Sequence, residues 1–305
     1  MTIAIEIDKL TKDYETGFLR KRKVRALDGL SLTVESGQIF GFLGANGAGK
    51  TTTLKLLMRL IYPTSGTARI NGRDINDVSM HAHIGYLPEN PYFYDYLTAR
   101  EFLTYCAELF GQDRAERELR TEELLTRVNL EKKSWDRQLR KFSKGMLQRV
   151  GLAQALVNDP EIVFLDEPMS GLDPVGRREV RDLIASLRGE GKTVFMCSHI
   201  LSDIEVLCDS VAILKCGRLA HAGSLEDLRA REAGLFEIVA VDADIAALTT
   251  LLAGKATVIP TASGARIQVS EEREVDAVIA ALRQAKGKLV SVQPVKQSLE
   301  ELFVD

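Results

Sequence analysis

No run of apolar residues in this chain approaches the ~20 that span a bilayer, so the sequence predicts no membrane-crossing helix. The opening residues, with Glu6 and Asp8 among them, lack the pattern of a secretory leader, and the expectation is a cytoplasmic chain. If it serves a membrane, it does so from the side, through a partner. Cysteine is scarce: Cys106, Cys197, Cys208 and Cys216 show no CxxC spacing, which points to a reducing compartment and buried thiols. Surplus basic charge is missing as well. A net charge of -3 and a pI near 5.9 argue against a general nucleic-acid surface, and no nucleic-acid partner is expected. Low-complexity segments and internal repeats are absent too.

What is present is an ordinary globular composition, with 45% hydrophobic and 27% charged residues over 305 positions, enough for one large core and a smaller second one. The chain is organised around Gly44-Ala45-Asn46-Gly47-Ala48-Gly49-Lys50-Thr51, followed by Thr52, which fits G-x-x-x-x-G-K-[ST]. An apolar run, residues 38–43, precedes it. Leu54, Leu57, Met58 and Ile61 follow at the spacing of one helix face, so the loop joins a buried strand to a helix. The glycines let backbone N–H groups close around an anion with a helix dipole behind them. Lys50 is placed to reach the β- and γ-phosphates of a nucleotide, and the Thr51 hydroxyl to ligate Mg²⁺.

Around this loop the sequence predicts strands at residues 2–7 and 30–34, separated by the basic run Arg20-Lys21-Arg22-Lys23-Val24-Arg25. That run reads as a solvated loop, or as a contact for anionic lipid head groups. A strand at Ile84–Leu87 is followed by helix-period sequence with capping boxes at Thr98/Glu101 and Asp113/Glu116, and a third helix starts near Ser143. An apolar strand at residues 162–165 ends in Asp166-Glu167, a helix carries Val180, Leu183, Ile184 and Leu187, and a strand at 193–196 leads to His199. After about residue 228 the order becomes β-α-β-β-α-β, which suggests a small ferredoxin-like domain.

The acidic pair has a chemical reading of its own. An aspartate at the carboxyl end of a strand beside a phosphate loop can hold Mg²⁺ through water, and the adjacent glutamate can polarise an attacking water. Ser143 and Gly145 open a helix that forms an anion-binding N-terminus separate from the phosphate loop.

The run from Phe142 to Arg149 resembles the signature motif of ATP-binding cassette (ABC) proteins, most often L-S-G-G-Q, with Ser143 and Gly145 matching and Lys144 and Met146 departing from it. Ser170-Gly171-Leu172-Asp173 stands at the family's D-loop and His199 at its switch histidine. Tyr14 stands where an aromatic stacks on adenine, and Glu89 where most members carry a glutamine that touches Mg²⁺. The resemblance, over about residues 2–225, implies an α/β P-loop cassette at 1–228 with a helical subdomain at about 92–158. Residues 229–305 then form a C-terminal α+β accessory domain. It further implies ATP and Mg²⁺ as ligands and a head-to-tail dimer in which Ser143, Gly145 and Asp173 meet the ATP held by the other copy. Lys50, Glu167 and His199 are the implied catalytic set, and Thr51, Glu89 and Asp166 the implied metal set. More narrowly, residues 86–90, 142–146 and Ser298–Phe303 are similar to ATPase subunits of bacterial drug, antibiotic or ion exporters, which implies separate permease subunits at the cytoplasmic face of the membrane. The alternative is a soluble ABC ATPase acting on a ribosome or DNA. Those usually carry tandem cassettes or a long coiled-coil insertion, and this sequence has neither. For the C-terminal domain a ligand-sensing role also stays open.

Overall fold

Two strands longer than the sequence reading open the chain: β1 (Ile3–Thr16) pairs antiparallel with β2 (Arg22–Glu35). The computed structural model describes residues 2–17, 22–226, 236–254, 256–261, 263–269 and 271–294. Arg22 to Arg25 therefore lie in a strand and not in a loop, while Arg20 and Lys21 fall outside the described residues. The physical reason is cross-strand charge pairing. Arg25 reaches Asp13 on β1 and Asp28 on its own strand, each at 2.8 Å, so a charged stretch can extend a hairpin without an apolar face.

The chain divides into two compact units, Met1–Ser224 and Leu225–Asp305. In the first, β3 (Ile39–Leu43) is buried along its whole length and runs into the phosphate loop and helix α1 (Lys50–Leu57). Strands β4 (Ser65–Ile70) and β5 (Arg73–Asp74) are joined by an Asn71-Gly72 turn, both residues at positive φ, and complete an antiparallel sheet of order β2-β1-β4-β5. After β6 (Ile84–Leu87) come helices α2 (Ala99–Leu109), α3 (Arg114–Arg127) and α4 (Lys144–Ala155). The capping boxes at Thr98/Glu101 and Asp113/Glu116 both form, which fixes where α2 and α3 begin.

The α/β core resumes with β7 (Ile162–Asp166), α5 (Pro174–Gly189), β8 (Thr193–Ser198), α6 (Leu201–Leu207), β9 (Ser210–Lys215) and β10 (Arg218–Ser224). The second sheet has the order β10-β9-β3-β8-β7-β6, parallel throughout except for the edge strand β10. Parallel strands covered on both faces need continuous apolar sequence, and β3, β7 and β8 are buried at every position. Phe195 on β8 anchors the core, with Phe40, Phe42 and Phe164 ring centroids 5.4, 5.2 and 5.8 Å away. Leu54, Leu56 and Leu57 of α1 and Leu27, Leu30 and Leu32 of β2 close over the same cluster.

The second unit contains β11 (Phe236–Val241), α7 (Ile245–Leu251), β12 (Thr257–Thr261), β13 (Gly264–Val269), α8 (Val275–Gln284) and β14 (Lys288–Pro294). The strands form an antiparallel sheet of order β12-β13-β11-β14, with Ile238, Ala240, Ala265 and Ile267 packed against Leu248, Val278 and Leu282 of the helices. The β-α-β-β-α-β order read from the sequence is the order of these elements. The expected boundary near residue 228 and the Ser298–Phe303 motif lie outside the described residues.

Candidate functional site

The phosphate loop owes its shape to two left-handed glycines, Gly47 (φ 81) and Gly49 (φ 112), the second of which starts α1. Gly49 and Gly44 also have neighbours that exclude a side chain: a Cβ would lie 2.6 Å from the Ala26 carbonyl at the first and 2.6 Å from the Leu214 carbonyl at the second. Lys50 curls back over the loop, and its Nζ donates to the Gly44 carbonyl at 2.7 Å.

Because β3, β7 and β8 run parallel and in register, their carboxyl ends deliver the loop, the Asp166-Glu167 pair and His199 to one edge of the sheet. Glu167 is the first residue past β7 and has φ 51, a left-handed conformation unusual for a side chain of this size. Its N–H donates to the Cys197 carbonyl at 3.0 Å, which pins the turn to β8. Lys50 and Glu167 are each 6% exposed, and Lys50 Nζ stands 3.5 Å from Glu167 Oε1. His199 Nδ1 lies 2.9 Å from the same oxygen, near in distance but not aligned as a hydrogen bond. A buried carboxylate thus faces an ammonium and an imidazole.

Asp166 plays a different part. Its Oδ2 accepts from the Thr51 hydroxyl at 2.9 Å, while Oδ1, in a residue only 1% exposed, has no hydrogen-bond partner. Burial holds the Asp166 carboxyl above its ordinary range; the Thr51 bond opposes this, and the charges of Glu167 and Glu89 add to it. An orphaned carboxylate oxygen beside a hydroxyl and a second acid is a hard-oxygen donor set, and Mg²⁺ fits it. Among the described residues no group of three His, Cys, Asp or Glu side chains forms a ready-made metal cage, so water or substrate oxygens must complete the shell. His81 and His83 are elsewhere occupied, with the Met58 carbonyl and with Glu161.

These groups line a cavity of about 290 Å³, formed by Ala45, Asn46, Gly47, Gly49, Lys50, Thr51 and Thr52 of the loop region with Ala26, Glu89, Asp166 and Glu167. Gly44 and Ala48 of the loop do not line it. Tyr14 is half-buried on β1 opposite Val24, two positions along β2 from Ala26, with Lys12 Nζ 5.2 Å from its ring centroid.

Ser143, Gly145 and Asp173 are not brought to this cavity. They line a second one, of about 650 Å³, which shares no lining residue with the first. Ser143 caps α4, accepting from the Met146 N–H at 3.3 Å, and Asp173 caps α5, accepting from the Gly176 N–H at 2.7 Å. Among the described residues nothing demands glycine at 145: a Cβ there would meet Leu172 no closer than 3.5 Å, an ordinary contact.

One contact was not read from the sequence. Gln148 of α4 is buried, and its Nε2 donates to the Pro168 carbonyl at 2.8 Å, which ties the helix that opens with Ser143 to the turn that carries Glu167. A polar residue at an otherwise apolar helix position was the only available signal.

The profile of the ABC transporter family matches residues 27–170. An uncharacterized ABC transporter ATP-binding protein of Synechocystis is 44% identical over 301 residues, covering 98% of this chain and 83% of that protein. The bacitracin transport ATP-binding protein of Bacillus licheniformis is 42% identical over 234 residues, 76% of this chain and 73% of that protein. Among solved structures, a dimeric ATP-binding cassette bound to ADP and Pi in a post-hydrolysis state matches with a TM-score of 0.67 at 26% identity, over 72% of this chain and 98% of that one. An ATP-binding subunit of an ABC transporter matches with a TM-score of 0.65 at 31% identity, over 75% and 92%. With the Gly44–Thr51 loop, the Asp166-Glu167 pair and His199 gathered at one sheet edge, this chain belongs to the ATP-hydrolysing, ATP-binding subunits of bacterial ABC transporters.

Proposed function

We propose that this ATPase drives an exporter, and that it works as a head-to-tail pair in which each ATP lies between the phosphate loop of one copy and Ser143, Gly145 and Asp173 of the other. The observation that carries this reading is the separation of the two cavities within one chain, together with a glycine at 145 that packing among the described residues does not require. The structural neighbour with ADP and Pi is itself dimeric, which supports the same arrangement. The relatives named for bacitracin transport support an exporter of the drug, antibiotic or ion type. Among the described residues no helix is long and apolar enough to cross a membrane. In this reading separate permease subunits form the path, and the ATPase acts on them from the cytoplasmic face.

Each step falls to a named group. Loop N–H groups and Lys50 hold the β- and γ-phosphates of ATP, and Tyr14 stacks on the adenine. Glu167 orients a water for in-line attack and takes its proton, while His199 steadies the carboxylate from the solvent side. Thr51, Asp166 and Glu89 would hold Mg²⁺, which would supply charge neutralisation at the phosphate oxygens. Contacts made to ATP only in the closed pair supply the free energy of closure, and hydrolysis removes them.

The test is affinity purification of the tagged chain from detergent-solubilised membranes, with co-purifying proteins identified by mass spectrometry. A polytopic membrane protein recovered in stoichiometric amount is the expected result. Recovery of ribosomal or other soluble partners alone would overturn the transport reading and leave the ATPase chemistry in place.

A further inference from the structure

One carboxylate oxygen of Glu167 has no hydrogen bond to aim it. Oε1 is buried and unpartnered, with Lys50 Nζ at 3.5 Å and His199 Nδ1 at 2.9 Å beside it. Its placement therefore falls to the backbone from which the side chain hangs. That backbone is left-handed at Glu167, with φ 51, a conformation that a side chain of this size keeps only where the surroundings fix it. Hydrogen bonds brace it. The Glu167 N–H donates to the Cys197 carbonyl and the Ser170 N–H to the Glu167 carbonyl, each at 3.0 Å. The remaining brace comes from a side chain on another element: Gln148 Nε2, on α4, donates to the carbonyl of Pro168, the residue after Glu167, at 2.8 Å. Gln148 is 3% exposed and lines neither cavity. Its mount is firm, because a Cβ on Gly151, one turn further along α4, would lie 2.7 Å from Leu87 of β6.

We propose that Gln148 is a positioning residue for hydrolysis, holding the turn after β7 so that Glu167 points at the attacking water. The inference rests on the reading of Glu167 as the base and adds the group that aims it. Gln148 lies outside the nucleotide cavity and acts through the Glu167 turn. Without its amide the Pro168 carbonyl is left buried and unpaired, and the turn shifts to relieve it. A reacting group misplaced by about 1 Å can cost on the order of 10²-fold in rate. Nucleotide affinity is set by the phosphate loop and Lys50, and does not change.

The experiment uses the full-length chain and Gln148→Met, which matches glutamine in length and has no N–H to donate. Gln148→Asn, still polar but one methylene shorter, removes the same bond and takes its place should the methionine variant not fold, as judged by its urea midpoint. Steady-state ATP hydrolysis should show kcat lowered at least about tenfold, with KM for MgATP within about twofold of the original. Single-turnover hydrolysis is then measured for Glu167→Gln alone and combined with Gln148→Met. Because Gln148 acts through the base, its substitution should lower the rate less than about twofold once the carboxylate is gone, whereas a general loosening of the site lowers both backgrounds by the same factor. Unchanged kcat, a loss confined to KM, or equal losses in both backgrounds overturns the proposal alone. Turnover by Glu167→Gln within about tenfold of the original chain brings down the reading of Glu167 as the base instead.

Discussion

Glu167 and Lys50 form a pair in which each buried charge is tolerated because of the other, at 3.5 Å. Glu167→Gln keeps the shape of the side chain and removes its capacity to accept a proton. ATP affinity should hold while turnover falls by about 10²–10⁴, the usual worth of a general base. Phosphate release and equilibrium nucleotide binding, measured side by side, check it; a rate within tenfold of the original would remove Glu167 from the role of base. The thiols offer a second test at this scale. Burial pushes Cys106 up to about 11 and raises Cys197 and Cys208 as well, whereas Cys216 is exposed on the turn between β9 and β10. Since the thiolate is the reactive species, a thiol whose pKa is raised stays protonated and inert at pH 8. Ellman's reagent should therefore report Cys216 at once and the other three only after denaturation.

At the scale of elements, β6 meets the end of α4 at a glycine that leaves no room for a side chain. A Cβ on Gly85 would stand 1.9 Å from the Ala155 carbonyl and 3.0 Å from Pro160. Gly85→Ala must push α4 outward, at a cost of about 3 kcal/mol. Gly189→Ala, at the end of α5 with open space around it, should be neutral or gain about 0.5 kcal/mol. Urea denaturation of the two variants separates them by midpoint. Much of this scale is legible in the sequence, because the phosphate loop, capping boxes and apolar strands are local patterns whose periods differ. The extent of β1 and β2 is not, since pairing of Arg25 with Asp13 substitutes for the alternation that marks a strand. Nor is the bond from Gln148 to the Pro168 carbonyl, which joins residues that only the tertiary fold brings together. The site follows the same division: motifs located each group, but the burial of Asp166 and its orphaned oxygen are properties of the assembled sheet edge.

At the scale of the molecule, the two cavities raise a question that substitutions within one cavity do not answer: whether the surface around Ser143 exists to meet a second copy. A helix N-terminus attracts phosphate through its dipole and free N–H groups, so a negative charge placed there should repel it. Ser143→Asp is suited to this test because aspartate is as good an N-cap as serine, and α4 keeps its first turn. If Glu167 is the base of the proposed mechanism, Glu167→Gln should trap bound ATP, and with MgATP that variant should run in light scattering at twice the 33.7 kDa of the single chain. Adding Ser143→Asp should return it to the monomer mass while each chain still binds nucleotide, since the phosphate loop lies in the other cavity. If the double variant dimerises as readily as Glu167→Gln, then Ser143 faces no phosphate and the pair closes through some other surface. If it stays monomeric and binds ATP with unchanged affinity, the site is built from two chains, and one chain's chemistry depends on a helix cap contributed by the other.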